Sequence, residues 1–193
     1  MIDDKDTAPV LGPIGTLIEQ AYSYAQLGLE VFPVNPADKT PLVSQYKATT
    51  DLDTIEAWWR QWPNALIGHR IAPWHIVLDI DPRHGGDQTW AALLAEMPVL
   101  HTRTHFSGRG DGGHHVWLRR PGDHLTITAI DQWAKERGLG EEVTDDESRP
   151  TGRWVSGIDL LHHKHRYTIL PPSHHPETGR PYHWAAKIGR AHV

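Results

Sequence analysis

The sequence predicts an α/β (α+β) domain in which short strands alternate with amphipathic helices around one core. Three observations predict it. Several stretches repeat apolar residues at three- and four-residue spacing and end in glycine or proline, as helices do. Between them stand short runs rich in β-branched and aromatic residues, bounded by Asn, Pro and Gly turns. The length of 193 residues, 38% hydrophobic and 22% charged, is enough for one domain with a real core and too short for two comfortable ones.

Composition narrows the function classes. The chain has no cysteine, so disulfides and thiolate zinc sites are excluded. No apolar run approaches the roughly 20 residues that span a bilayer, and the start Met-Ile-Asp-Asp-Lys-Asp lacks a signal peptide's basic and apolar regions. A cytoplasmic protein with no membrane partner is expected. The formal charge of −5 argues against a strong nonspecific nucleic-acid binder, although a local basic groove is compatible with it.

Residues 1–12 read as a loose polar tail. From Pro13, the positions Ile14, Leu17, Ile18, Ala21 and Ala25 form a helical stripe with Gly28 just past its end. Leu29–Val34 is a short strand that enters a turn at Asn35-Pro36, and Lys39 follows in a loop. Lys39 reads either as a solvated surface lysine or as a phosphate or template contact. Asp53-Thr-Ile-Glu56 has capping-box form and starts a second helix, whose stripe of Ile55, Trp58, Trp59 and Trp62 reads as core rather than as a base-stacking surface. Asn64–Gly68 is a further short strand after Pro63.

The segment Ile76-Val77-Leu78-Asp79-Ile80-Asp81-Pro82 reads as a buried strand ending in two carboxylates. Strand alternation puts Asp79 and Asp81 on one face, and an oxygen-only pair of that kind suits magnesium or manganese. A glycine turn at Gly85-Gly86 leads into a helix from Asp87 to Met97 that buries Trp90, Leu93 and Leu94. This strand–turn–helix lacks both the GxGxxG and the GxxxxGK[ST] pattern, so a Rossmann or P-loop fold is not supported.

His101–His105 is strand-like, Ser107–Gly113 is a glycine-rich loop, and His114–Arg119 is a strand on which His114 and His115 face opposite ways. A helix covers Thr128–Arg137. Gly138–Gly152, with Glu141, Glu142, Asp145, Asp146 and Glu147, reads as an acidic, mobile linker. Trp154–Leu160 then leads to a basic turn, His162–Arg166, and to a last strand, Tyr167–Leu170, stopped by Pro171-Pro172-Ser173.

Asp79 and Asp81 on one strand with Asp159 on another are the carboxylates that a two-metal site for phosphoryl transfer requires, with metals about 3.5–4 Å apart. His115, Arg83, Arg109 and Arg166 are candidates to hold a triphosphate. The groups His162, His163 and His165, and His101 with His105, could also bind a metal, but neither has a fixed three-ligand spacing.

The order of these pieces resembles the N-terminal bifunctional primase–polymerase domain of the archaeo-eukaryotic primase superfamily, found in plasmid and phage replication proteins. The likeness is carried by Gly28-Leu-Glu-Val-Phe-Pro-Val34 with Lys39-Thr-Pro41, Ala48-Thr-Thr-Asp51 before the Trp58-Trp59 helix, and Leu78-Asp-Ile-Asp-Pro-Arg-His-Gly-Gly86. It continues through Gly112-Gly-His-His-Val-Trp117, Gly157-Ile-Asp-Leu160, Tyr167–Ser173 and Gly179-Arg-Pro-Tyr-His-Trp184. It implies one catalytic domain over 13–185 between tails 1–12 and 186–193, with a mostly antiparallel twisted sheet and an RRM-like catalytic core flanked by helices. It implies Asp79, Asp81 and Asp159 as ligands of a two-metal Mg2+ or Mn2+ site and His115 as the nucleotide-contacting histidine. The expected partners are nucleoside triphosphates and a single-stranded DNA template with its primer, with room for a replicative helicase supplied by another domain or chain. Two departures stand out: the basic turn His162–Arg166, where the family usually has a glycine-rich loop with an acidic residue, and the insertion Ser107–Asp111 before the paired glycines. The rival readings are a non-catalytic nucleotide or single-stranded-DNA-binding module of the same fold, and a metal-dependent phosphohydrolase or nuclease.

Overall fold

The computed structural model describes residues 16–97, 102–120 and 126–185, so the expected tails lie outside the described residues, as does His101. Along the chain the elements are α1 (Leu17–Gln26), β1 (Val31–Val34), α2 (Leu52–Gln61), β2 (Leu66–Arg70), β3 (His75–Ile80), α3 (Gly86–Glu96), β4 (Thr104–Phe106) and β5 (His114–Arg119). They continue with α4 (Ile127–Glu136), β6 (Glu141–Thr144), β7 (Pro150–Val155), β8 (Ile158–Leu161), β9 (Tyr167–Ile169) and β10 (His183–Trp184). The described residues form two compact units rather than one. One holds the residues up to Arg70 with Tyr167–His183, and the other holds Ile71–Arg166 with the residues from Trp184 onward.

In the first unit, β1, β2 and β9 form an antiparallel sheet in that order. Phe32, Val34, Leu66, Ile169 and Tyr182 make its core, with Trp58 packed against them. Ile55 and Trp59 of α2 are also buried, and the Trp59 indole N–H donates to the carbonyl of Ala65 at 3.3 Å. Ile55, Trp58 and Trp59 of the stripe are therefore packed into the core, as helical spacing predicts, while Trp62 is half-buried. The cap of α2 differs from the expected one. Asp51, not Asp53, is the N-cap, and its Oδ2 accepts from the Thr54 N–H at 2.9 Å. Asp51 still has extended backbone, the geometry a cap needs, whereas Asp53 already lies in the first helical turn, where its charge complements the helix dipole.

The second unit runs β3-α3-β4-β5-α4-β8, and its sheet has the order β8-β3-β5-β4 with β10 beyond β4. That is the split βαββαβ arrangement of an RRM-like sheet. Its β3–β5, β3–β8 and β4–β5 pairings are antiparallel. Two-residue alternation along the strands separates two functions. Leu78, Ile80, Val116 and Ile158 point to one face and pack with Trp90 of α3 and Ile130 of α4. Each such buried side chain contributes about 1.5–3 kcal/mol of hydrophobic stabilisation. Asp79, His115 and Asp159 of the same strands are left for the other face.

The segment expected as a mobile linker is instead a β-hairpin. β6 and β7 pair antiparallel, with Glu141 opposite Val155 and Glu142 opposite Trp154. Its acidic composition resembles that of disordered chain, but the carboxylates are used locally. Asp145 accepts from the N–H groups of Glu147 and Arg149 and from the Arg149 side chain, which closes the turn. Beyond β3, the main chain comes into direct contact with the start of β8. The Asp81 N–H donates to the Gly157 carbonyl at 2.8 Å, and a Cβ on Gly86 would lie 2.2 Å from that same oxygen. Gly157 also has φ +73°, so glycine is required on both sides of this contact.

Candidate active site

The register of the second sheet assembles the site. Asp79 on β3 lies opposite Asp159 on β8 and opposite His115 on β5, and His115 lies opposite His105 on β4. Directly opposed residues share a face, with Cβ atoms about 4.5–5.5 Å apart, so Asp159, Asp79, His115 and His105 form one row across the sheet. Asp81, two residues after Asp79, extends the row at the strand end. His114 is opposite Ile80 and Phe106 and belongs to the other face.

Each carboxylate meets a base. His115 Nε2 is 3.3 Å from Asp79 Oδ1, and Arg166 Nη2 is 3.1 Å from Asp159 Oδ2. Arg83 grips Asp81 with two bonds, Nε to Oδ1 at 3.0 Å and Nη2 to Oδ2 at 2.7 Å, and Arg109 stands 3.9 Å from Oδ2. Burial pushes the Asp81 carboxyl upward, but the hydrogen bonds from Arg83 and the charges of Arg83 and Arg109 outweigh it and hold the group below the usual carboxylate range. Like charges side by side across a sheet repel, and the arginines compensate those of Asp81 and Asp159. The three expected triphosphate-binding arginines thus sit on the expected acids.

His105 is a site residue that strand alternation alone barely signals. It is fully buried, its ring centre is 4.5 Å from that of His115, and it packs edge-on to Trp184. The Trp117 indole N–H donates to His105 Nδ1 at 3.0 Å. An indole can only donate, so Nδ1 is the acceptor and Nε2 carries the proton of the neutral ring. His105 thus backs His115 from within the sheet.

Lys39 belongs to the first unit. Its Nζ is 2.9 Å from Nε2 of the buried His175 and lies 5.9 Å from the Tyr182 ring centre, while the Tyr167 hydroxyl donates to its carbonyl. The His162, His163 and His165 rings stand about 6.1 Å apart around His162. Among the described residues, no three His, Cys, Asp or Glu side chains gather into a metal cage, either at this turn or along the row.

A cleft of about 550 Å³ opens over the acids and is lined by Asp79, Asp81, Asp159 and Arg166, with Glu142 and Arg153 from the hairpin opposite. Its lining carries six carboxylates against two arginines. The donor chemistry fits a hard divalent cation: carboxylate oxygens from adjacent strands and no sulfur. The partners holding two of them, Arg83 and Arg166, are more than half exposed.

An RRM-like antiparallel sheet with helices on one face and a carboxylate–histidine row on the other defines an α+β protein with an acidic cleft. Residues 21–191 match the family described as bifunctional DNA primase/polymerase, N-terminal, and the chain belongs to that family. This is a family of primase/polymerase-type nucleotidyltransferases. A comparison with curated proteins finds no match. Among the described residues, no helix is long and apolar enough to cross a membrane.

Proposed function

We propose that the protein is a metal-dependent nucleotidyltransferase that extends a nucleic-acid strand on a DNA template, adding nucleotides from nucleoside triphosphates to a 3′-hydroxyl, as a DNA primase or polymerase in plasmid or phage replication. The observation that carries this reading is the row in which Asp79 stands between Asp159 and His115, with Asp81 at the end of the same strand. Asp79, Asp81 and Asp159 are the residues that would hold Mg2+ or Mn2+. The bound metal would supply charge stabilisation at the transferring phosphoryl group. An acidic cleft repels a polyanion until cations enter it, which ties substrate binding to metal binding. His115, which lies between Asp79 and His105, would contact the nucleotide phosphates. The template and primer are single-stranded DNA and its paired end.

The test is a panel on single-stranded DNA with and without a labelled primer, run with ribo- or deoxynucleoside triphosphates and with magnesium, manganese or chelator. Extension that requires metal supports the reading. Shortening of the primer would instead assign the same carboxylates to a nuclease, and metal-independent nucleotide binding without extension would make the domain a binding module.

A further inference from the structure

The β6–β7 hairpin is inserted between α4 and β8, where an RRM-like chain would pass directly from helix to strand, and it walls the acidic cleft. Its root is fixed from several sides. His84 Nδ1 is 2.5 Å from Glu141 Oε1, and the Trp154 indole N–H donates to the Leu139 carbonyl at 2.7 Å. The Lys135 ammonium of α4 lies 5.7 Å from the Trp154 ring centre, and Ser156 donates through its N–H and hydroxyl to Asp131 of α4. Alternation along β7 then sends Arg153 and Val155 to the side away from Trp154, and both line the cleft.

Arg153 differs from the other arginines near the acids. Arg83 and Arg109 face Asp81, and Arg166 faces Asp159. For Arg153, no described carboxylate lies within ion-pair distance, although Glu141 and Glu142 line the same cleft and Glu142 accepts from the Gly152 N–H at 3.0 Å. It is a guanidinium on an anchored strand, aimed into the cleft and not neutralised by any described side chain.

We propose that Arg153 binds the triphosphate of the incoming nucleotide and sets the hairpin as the phosphate-reading wall of the cleft; this rests on the reading of the cleft as a nucleotide site. A planar guanidinium takes phosphate oxygens two at a time, and its charge offsets the surplus of carboxylates that line the cleft.

The test measures equilibrium binding of a non-hydrolysable deoxynucleoside triphosphate and of the matching monophosphate to the full chain with manganese. Arg153→Ala is expected to weaken triphosphate binding about 10- to 100-fold, the scale of a charged hydrogen-bonded pair, and to leave the monophosphate nearly unchanged. Arg153→Lys should recover part of the loss with a wild-type thermal midpoint, which separates phosphate binding from folding. Wild-type triphosphate affinity in Arg153→Ala, or an equal loss for monophosphate, overturns the proposal. Primer extension is scored separately. Arg153-dependent triphosphate binding without extension removes the polymerase reading and leaves this one. Extension by Arg153→Ala with an unchanged KM for nucleotide does the reverse.

Discussion

The two faces of the second sheet are made from the same strands and do opposite things. On one face, Leu78, Ile80, Val116 and Ile158 are buried under α3 and α4. On the other, Asp79 and Asp159 are close to half exposed, while His115 and His105 are buried beside them. From Leu78 onward, neighbouring residues thus alternate between the core and the acidic row. A single strand can therefore be stiff, as a site needs, because every second residue anchors it.

Substitutions on the two faces should separate stability from activity, and the largest effect belongs to the core face. Ile80→Ala removes a fully buried side chain and is expected to cost about 2–5 kcal/mol of stability in urea unfolding, with loss of activity only through loss of fold. On the other face, Asp79→Asn or Asp159→Asn should lower primer extension roughly 10²–10³-fold, the scale of removing one charge-stabilising group. The urea midpoint should stay level or rise, because one of two opposed carboxylates loses its charge. A large stability loss in either aspartate variant would show that the polar row is structural.

A smaller effect is expected one layer back. His105→Asn leaves Asp79 and Asp159 in place but removes the ring that supports His115, so it should raise the KM for nucleotide more than it lowers kcat. A KM equal to the wild type's would show that His115 is oriented without it. The smallest effect lies past the end of β8, where neither face governs. Burial, and then the charges of His163, His165, Arg120 and Lys164, hold the His162 ring below the usual imidazole range. A folded-state value below the unfolded one means stability that is present above pH about 6.5 and is lost as pH falls through the folded value. His162→Gln should flatten that part of the stability–pH curve, and an unchanged slope between pH 5 and 7 would count against this origin.

Much of this division could be read from residue order. The alternation in Ile76–Asp81 marked which side chains enter the core, and the positions of Asp79, His115 and Asp159 at strand ends marked the row. What residue order hid were features that depend on pairing distant segments. β9 joins β1 and β2 across nearly a hundred residues of intervening chain, so the two-unit division leaves no local trace. The hairpin was obscured because Glu141–Glu147 has the composition of solvated chain, while its order comes from Asp145 and from Trp154 packing at its root. Arg153 was hidden with it. The arginines that could be singled out by nearness to the acidic motif are the ones those acids neutralise.

The contact between Gly86 and Gly157 fixes a dimension. It brings the main chain after β3 against the main chain before β8, and the acids that follow and precede it inherit their separation from backbone atoms. The spacing of the acidic row is therefore set by two residues that have no side chain. A methyl group there would act like a shim, widening the gap between Asp81 and Asp159 while leaving every reactive group chemically intact.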